Sequence, residues 1–254
     1  MIYITGDTHG DFRRFSTKRF PVLKEMTKDD IVMVTGDFGL ILDKDKSSPN
    51  EKHKINWLNE KPFTTVFVDG NHENFDRLFN EYPLVPFHGG LSYKISDSIF
   101  WLKRGEVFEF EGKYYWAFGG AQTHDTEHFL VKNGPGGIRH YKNVVNVLKR
   151  NNEFYRTLGE DWWPQEMPSK KEMEHGLKNL EAVHWKVDYV ITHCAPTSLF
   201  KPLNAVGMEP NYLTDYFEYI ADKIEFKNWF FGHHHKDMEL DKFIALYNDI
   251  VRIA

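Results

Sequence analysis

The chain has 254 residues, of which 41% are hydrophobic and 27% charged, which is enough apolar material for one large hydrophobic core. Its formal net charge of -5 gives no global positive field to collect nucleic acid or anionic lipid. The single cysteine, Cys194, excludes an intrachain disulfide framework and fits a reducing compartment, so we expect a cytoplasmic protein. Since no apolar stretch reaches transmembrane length, we expect no membrane association.

Five short apolar runs, rich in β-branched and aromatic residues, are predicted to be buried strands: IYIT, DIVMVT, TTVFV, DYVIT and WFF. Each run ends in a polar cluster: GDTHGD, GDFG, DGNHEN, HCAP and GHHH. Helical patterns lie between them, such as SKKEMEHGLKNLEAV, which opens on a capping box of Ser169 and Glu172. This alternation predicts an α/β protein, in which ligands bind beyond the carboxyl ends of the strands. The five clusters are therefore expected to meet at one edge.

The middle of the chain follows a different pattern. The stretch SIFWLKRGEVFEFEGKYYWAFGG has strand-like runs separated by turns and no helix, which predicts an antiparallel meander and a second sheet. Residues 121–168 contain NGPGG, an amphipathic helix predicted around Tyr141–Leu158, and the aromatic stretch DWWPQEMP. We interpret this segment as an inserted lobe that leans over the active edge of a single domain spanning residues 1–254.

The five clusters combine carboxylate, carboxamide and imidazole groups, which suit ions such as Mn, Fe or Zn. In an extended chain, alternate side chains point the same way, so Asp7 and His9 can share one ion. By the same argument His233 and His235 can share an ion, and the histidine between them points away. Asp37, alone after its strand, has two carboxylate oxygens and can bridge two ions.

The order of the clusters resembles that of the calcineurin-like metallophosphoesterase superfamily, and in particular of its small bacterial members. That family carries the blocks D-x-H, G-D, G-N-H-[DE], H and G-H-x-H. Here the blocks are DTH, GD, GNHE, the histidine of THCAP, and GHHH, between residues 6 and 235. The resemblance implies the four-layer metallophosphoesterase fold, in which two mixed β-sheets pack as a sandwich flanked by helices, here with the small inserted lobe.

The resemblance also implies two divalent metal ions, Mn, Fe or Zn, and a set of oxygen and nitrogen ligands: Asp7, His9, Asp37 and His235 for one ion, and Asp37, Asn71, His193 and His233 for the other. Asp37 is then the bridge. His72 resembles the family histidine that protonates the leaving oxygen, which an imidazole can do near neutral pH. The implied reaction is phosphoester hydrolysis by attack of a metal-bridging hydroxide.

Several other side chains have competing interpretations. His124 and His128 either reach the site from the lobe or are solvated, and the solvated interpretation is favoured. Arg104 has the planar fork of a phosphate clamp, although a hairpin arginine is more often exposed. Cys194 is better explained as a small packed residue than as a nucleophile. The pair Trp162–Trp163 either lines a substrate pocket or fills the core of the lobe.

A small phosphomonoester or phosphodiester is the expected substrate. Protein phosphatases and dinucleotide hydrolases of the family carry arginines beside the second and third blocks. Here Phe38 and Gly39 follow the second block and Asp69 precedes the third, which argues against protein phosphatase activity. The acidic charge balance argues against a nuclease and a nucleic-acid partner. The alternative of another class is a scaffold that binds a protein partner without turnover, and the sequence does not set the oligomeric state.

Overall fold

The computed structural model describes residues 1–44 and 48–253, which form two large β-sheets. With strands numbered in chain order, the first sheet contains β1 (Ile2–Thr5), β2 (Ile31–Val34), β3 (Thr64–Phe67), β4 (Leu84–Phe87), β5 (Gly90–Ser96), β6 (Ile99–Leu102) and β15 (Ile250–Arg252). Their order across the sheet is β15-β1-β2-β3-β6-β5-β4. The four central strands, β1, β2, β3 and β6, run parallel to one another. The pairs β15–β1, β6–β5 and β5–β4 are antiparallel. The first sheet is therefore mixed.

The second sheet contains β7 (Glu106–Phe110), β8 (Lys113–Phe118), β11 (Tyr189–Thr192), β12 (Asn228–Phe231), β13 (Met238–Leu240) and β14 (Phe243–Ala245). Their order is β13-β14-β12-β11-β8-β7, with a parallel centre and an antiparallel pair at each edge. All five apolar runs that the sequence predicts to be strands are strands. Three of them lie in the first sheet and two in the second.

The helices flank the sheets: α1 (Pro49–Asn59), α2 (Phe75–Glu81), α3 (Gly137–Asn151), α4 (Lys170–Ala182) and α5 (Tyr212–Ala221). Short 3₁₀ turns span Phe12–Phe15, Pro21–Glu25, Pro164–Glu166 and Thr197–Leu199. The predicted capping box is present at α4, where Ser169 and Glu172 bond reciprocally. Among the described residues, no helix has both the length and the apolar character that crossing a membrane requires.

Three hydrophobic clusters hold the layers together. Between the sheets, Ile2 and Ile4 of β1 pack in one cluster with Phe230 of β12. Tyr3, the residue between them, belongs to the cluster on the helical side of the first sheet. A third cluster joins Phe217 of α5 to the outer face of the second sheet. Successive residues of a strand face opposite sides of its sheet, and both sides of each sheet are covered, so these strands are apolar throughout. The helices, the two sheets and the second set of helices form the predicted four-layer sandwich.

The predicted antiparallel meander is wrong, because its strands belong to different sheets. Strand β6 pairs with β3 and β5 in the first sheet, whereas β7 and β8 form a hairpin in the second. The chain crosses between the sheets at residues 103–105. Apolar runs separated by turns carry no information about which sheet each strand joins, so the sequence pattern could not reveal this crossing.

The lobe helix is displaced from its predicted position. Helix α3 spans Gly137–Asn151, whereas the sequence predicts a helix around Tyr141–Leu158. The helix ends because Asn152 adopts a left-handed backbone conformation with φ of 58°. The following residues form β10 (Arg156–Thr157), which pairs with β9 (Phe129–Leu130) in a two-stranded sheet of the lobe.

Candidate metal centre

The carboxyl ends of strands from both sheets carry the seven predicted ligands. The loops after β1, β2 and β3 carry the ligands of the first sheet, and the loops after β11 and β12 carry those of the second: Asp7, His9, Asp37, Asn71, His193, His233 and His235. His9 and His235 are exposed, and the other five are buried. The polar loops of two separate sheets therefore meet at one place.

Asp7, His9 and His235 form the more exposed group of donors. Nε2 of His235 lies 3.2 Å from Oδ2 of Asp7 and 3.0 Å from Nε2 of His9. Nε2 of His9 lies 3.9 Å from Oδ2 of both Asp7 and Asp37. One donor atom from each of the three residues lies within 4.8 Å of the others, which is close enough for all three to face one cation.

Asp37 and His193 form the buried group together with Asp7. Nε2 of His193 lies 3.5 Å from Oδ2 of Asp37, and donor atoms of all three residues lie within 4.8 Å of one another. The imidazole of His233 lies beside them, with its ring centroid 4.9 Å from that of His193. Oδ2 of Asp37 therefore faces both donor groups.

The buried donors fit a metal ion. Nδ1 of His193 lies 2.7 Å from the carbonyl oxygen of Thr35, to which it donates, so Nε2 is the ring nitrogen left available to a metal ion. That Nε2 and Oδ1 of Asn71 are buried and have no hydrogen-bond partner in the described part of the chain. Buried polar atoms are rarely left unpaired, because each costs free energy. Both atoms are of the kinds that bind divalent ions.

The electrostatics also favour a cation. Burial lowers the pKa of His193, but the negative charges of Asp37 and Asp7 outweigh burial and raise it to about 9. Burial raises the pKa of Asp37, but the neighbouring histidines outweigh burial and hold it below its usual range. The site thus attracts positive charge, which a proton or a metal ion can supply.

Four of the seven residues have strained backbone. His9, Asp37, His233 and His235 have positive φ angles of 45°, 43°, 63° and 48°. Such conformations are uncommon outside glycine and concentrate at functional sites. The argument from alternation fails for one pair of histidines, although Asp7 and His9 do lie in one donor group. His235 lies against Asp7 and His9, whereas His233 lies against His193, so the predicted sharing of one ion by His233 and His235 is not what their positions favour.

Two glycines allow the loops to approach the carboxylates. A Cβ atom at Gly70 would lie 2.0 Å from Oδ1 of Asp37, and one at Gly232 would lie 2.0 Å from Oδ1 of Asp7. Any side chain at either position would collide with a candidate ligand. The glycines of the GNHE and GHHH motifs are thus required by close packing around the carboxylates.

The remaining two motif histidines have different surroundings. The backbone N–H of His72 donates to Oδ1 of Asp37 at 2.8 Å, and its half-buried ring lies 5.7 Å from that of His9. His234, the middle histidine of GHHH, is buried against the rings of Phe200 and Phe231. Burial lowers its pKa to about 3. It packs into the protein, as the sequence predicts for a side chain that points away from the site.

The family assignment follows from a comparison with known families. A sequence model described as calcineurin-like phosphoesterase matches residues 1–237 of the 254. The chain belongs to the calcineurin-like phosphoesterase family. No curated protein sequence matches the chain. Family membership implies metal-dependent hydrolysis of a phosphoric ester. The two donor groups described above, each made of Asp and His side chains, are the candidate metal ligands. The family and the fold predicted from the sequence are confirmed.

Sequence reasoning missed a buried relay that connects the lobe of this phosphoesterase to Asn71. Nδ2 of Asn71 donates to Oγ1 of Thr123 at 3.3 Å. Thr123 in turn donates to Glu166 twice, from Oγ1 at 2.6 Å and from its backbone N–H at 2.8 Å. Burial raises the pKa of Glu166 to about 7. The one signal in the sequence was an acidic residue inside the aromatic and proline-bearing stretch DWWPQEMP.

Arg104 is neither the exposed residue favoured from the sequence nor a free phosphate clamp. It is 3% exposed and donates to Oδ2 of Asp69 from Nε at 2.9 Å and from Nη2 at 2.5 Å. Nη2 also donates to the carbonyl of Gln165 at 2.8 Å, and Trp101 donates to the other oxygen of Asp69 at 3.0 Å. The arginine therefore completes a buried ion pair that ties the lobe to the first sheet.

Of the two lobe histidines, one lies at the site and the other is solvated. His128 pairs with Glu153 at 2.8 Å, and both side chains are exposed, so the favoured interpretation is correct there. The ring of His124 is also exposed, but it lies perpendicular to His233 with centroids 5.2 Å apart.

Cys194 is buried, and burial raises the pKa of its thiol to about 12. A thiol with so high a pKa is a poor nucleophile, which supports the packed interpretation.

The two tryptophans separate into different environments. Trp163 is buried in the core beside the first sheet, and its Nε1 donates to Oδ2 of Asp76 at 2.9 Å. Trp162 packs against Phe129, with ring centroids 4.6 Å apart. Trp163 therefore anchors the lobe to the sandwich, and Trp162 belongs to the lobe's own packing.

Proposed function

We propose that this phosphoesterase hydrolyses a small phosphoester by means of two divalent ions held where the two sheets meet. The observation that supports the proposal best is the position of Asp37. Its Oδ2 lies 3.9 Å from Nε2 of His9 and 3.5 Å from Nε2 of His193, which belong to different donor groups. One buried carboxylate oxygen facing two groups of nitrogen ligands is suited to bridging two ions.

The donor groups of the structure are Asp7 with His9 and His235, and Asp7 with Asp37 and His193, so Asp7 lies within reach of both. We assign Asp7 to the exposed ion and complete the two sets with Asn71, whose Oδ1 is unpartnered, and His233, whose ring lies beside His193. The proposed ligands are then Asp7, His9, Asp37 and His235 for the exposed ion, and Asp37, Asn71, His193 and His233 for the buried one. Mn, Fe and Zn suit these nitrogen and oxygen donors. When bound, such ions lower the pKa of water and neutralise charge on the phosphate oxygens. The proposed partner is a small phosphoester, in keeping with the net charge of -5.

His72 is the proposed proton donor to the leaving oxygen. Its backbone is held by the bond to Asp37, and its half-buried ring remains accessible to a substrate beside His9. An imidazole can release a proton near neutral pH, so the alcohol leaves as a neutral molecule. Glu73 holds the same loop, since its Oε1 accepts from the backbone N–H of Phe38 at 2.7 Å.

Hydrolysis assays with Mn-loaded protein test the proposal, using an aryl phosphate monoester and an aryl phosphodiester side by side. We expect turnover of at least one substrate, and we expect it to fall by on the order of 10³-fold in the Asp37→Asn variant. If neither substrate turns over although two Mn ions are bound per chain, the hydrolase proposal is wrong and the scaffold alternative takes its place.

Removal of the metal is expected to abolish turnover. Dialysis against a chelator should remove the ions, and Mn²⁺ should then restore activity, whereas Ca²⁺ should not. The reason is that the proposed set includes four histidines, and Ca²⁺ binds almost exclusively oxygen ligands. Bound metal and turnover are measured on the same samples. Full recovery with Ca²⁺ would contradict the proposed imidazole ligands.

Thr123→Val is expected to weaken metal binding, because it removes the acceptor that orients the amide of Asn71. With Nδ2 no longer held, Oδ1 loses its fixed direction, and Mn²⁺ affinity should fall about tenfold. Equilibrium dialysis measures the affinity. Thr123→Ser keeps the hydroxyl and should restore binding. Thr64→Val is the control, since it also removes a threonine hydroxyl that donates a partly buried hydrogen bond, here from Oγ1 of Thr64 to the carbonyl of Lys28 at the start of β3. Equal losses in the two valine variants would exclude the relay.

A further inference from the structure

Two cavities border the metal centre and share no lining residue among the described residues. The first, which we call the His233 cavity, has a volume of about 370 Å³ and is lined by His233, Cys194 and Thr123 on the side of the buried donors. The second, the His72 cavity, has a volume of about 310 Å³ and is lined by His72 and His9 on the side of the exposed donors. Room for a substituent therefore exists at both ends of the centre.

The lobe contributes a wall to each cavity. Thr123, His124 and Phe129 come from the first part of the lobe and line the His233 cavity. Arg156 and Trp163 come from its last part and line the His72 cavity. A phosphomonoester has one organic substituent and would use one of these spaces. A phosphodiester has two substituents and would use both.

We propose that the natural substrate is a phosphodiester, whose leaving alcohol occupies the His72 cavity and whose retained substituent occupies the His233 cavity. This inference rests on the proposed hydrolase function and adds the class of substrate. The leaving alcohol is placed in the His72 cavity because the side chain that donates the proton must lie within hydrogen-bond distance of the leaving oxygen. The cavity on the side of His233 is then the space available to the retained substituent.

The reaction balances as a hydrolysis. The oxygen of a water molecule forms a bond to phosphorus, and the bond from phosphorus to the leaving oxygen breaks with its electron pair. The leaving oxygen takes the proton of His72 and departs as an alcohol. The attacking water releases a proton to solvent, from which His72 is protonated again. The second product is a phosphomonoester that still carries the retained substituent.

The lining of the His233 cavity indicates the chemistry of the retained substituent. Phe129 and Phe200 offer aromatic surface, and Gln122 offers an amide. Its charged side chains are the carboxylates of Glu127 and Glu209, and no lysine or arginine lines it in the described ranges. Carboxylates repel an anionic group, so an uncharged substituent with an aromatic or heteroaromatic ring fits best.

The His72 cavity is also poor in available positive charge. Arg156 lines it, but this guanidinium is paired with Asp125. Glu160, another lining residue, is paired with Lys44 and Lys132. Neither cavity therefore presents an uncompensated cation from the described residues that line it, and a substrate with further phosphate groups is not expected.

The test compares kcat/KM of Mn-loaded protein for a bis-aryl phosphodiester with kcat/KM for the matching aryl monoester. We expect the diester to be preferred by roughly tenfold or more, since the second ring adds apolar contact in the His233 cavity. Phe200→Ala should lower this preference by roughly tenfold, because it removes a wall of the His233 cavity. Phe129→Ala removes another wall and should act in the same direction.

Phe226→Ala is the matched control. Phe226 is half-buried like Phe200, but it lines a different cavity with Val187 and Lys227 at the start of β11 and β12. We expect it to leave the preference for the diester unchanged. A diester carrying a carboxylate on one ring should also be a poorer substrate than its uncharged counterpart, and Glu209→Lys should reduce that difference.

The outcomes separate this inference from the function on which it rests. A preference for the monoester, or equal effects of Phe200→Ala and Phe129→Ala on both substrates, would overturn the diester inference while hydrolysis itself stood. Failure of both substrates to react, with two Mn ions bound per chain, would overturn the hydrolase proposal. A diester preference that falls in both cavity variants and not in Phe226→Ala supports the inference.

Discussion

Asp37→Asn is expected to lower kcat by on the order of 10³-fold, equivalent to about 4 kcal/mol of transition-state stabilisation. The substitution keeps the shape of the side chain but removes the negative charge that faces both His9 and His193. It should also reduce the bound metal, because an amide is a weaker bridging ligand than a carboxylate. Turnover at saturating substrate and the Mn content per chain are the measurements.

The control for this prediction is Asp97→Asn. The side chain of Asp97 is 97% exposed and pairs with Lys94 on the surface of the first sheet. Removing that charge should change neither kcat nor Mn content, because Asp97 lies in the turn between β5 and β6, away from the metal centre. An exposed ion pair also contributes little to stability, so the fold should be unaffected. If Asp37→Asn kept both Mn ions and most of the turnover, Asp37 would not be the bridge, and the proposed centre would have to be abandoned.

Arg104→Met is expected to produce the largest loss of stability, about 3 to 5 kcal/mol, because it leaves the buried carboxylate of Asp69 without its counterion. Asp69 and Arg104 are both almost fully buried, so water cannot replace the lost partner. For a chain of this size the midpoint of thermal unfolding should fall by roughly 10 °C or more. Thermal and denaturant unfolding followed by circular dichroism measure the change.

The double variant Arg104→Met/Asp69→Asn tests the cause of that loss. An asparagine removes the unpaired charge and keeps an oxygen to accept from Trp101. We expect it to recover a substantial part of the stability. Arg13→Met is the surface control, since Arg13 pairs with Asp11 and is 76% exposed, and it should leave the free energy of unfolding nearly unchanged. A double variant no more stable than Arg104→Met would show that the unpaired charge is not the cause.

The ion pair also bears on the choice of substrate. Arg104 donates to Asp69 from Nε and Nη2, to the backbone of Gln165 from Nη2, and to Glu172 from Nη1, so all three guanidinium nitrogens bond within the protein. It therefore holds the lobe against the sandwich, and we do not expect it to contact the phosphoryl group. The lobe held in this way supplies walls to both cavities beside the centre.

The sequence by itself determined the properties that depend on neighbouring residues. Strands such as β1 and β12 are recognisable because residues buried on both faces of a strand form one continuous apolar run. The polar loops that follow them carry the candidate ligands, and their order along the chain was sufficient to indicate the family, which the match over residues 1–237 confirms. The capping box of α4 is equally local, since its two residues lie three apart.

The tertiary structure alone decided the features that join distant parts of the chain. Nε2 of His9 and Nε2 of His235, 226 residues apart in the chain, lie 3.0 Å from each other, a contact that no alternation along a single strand predicts. Arg104 is buried because it pairs with Asp69, 35 residues away. The amide of Asn71 is oriented by its bond to Thr123 of the lobe, which in turn bonds to Glu166. A sequence pattern records the period of a strand or helix, whereas burial and hydrogen bonding between remote residues arise only when the elements pack.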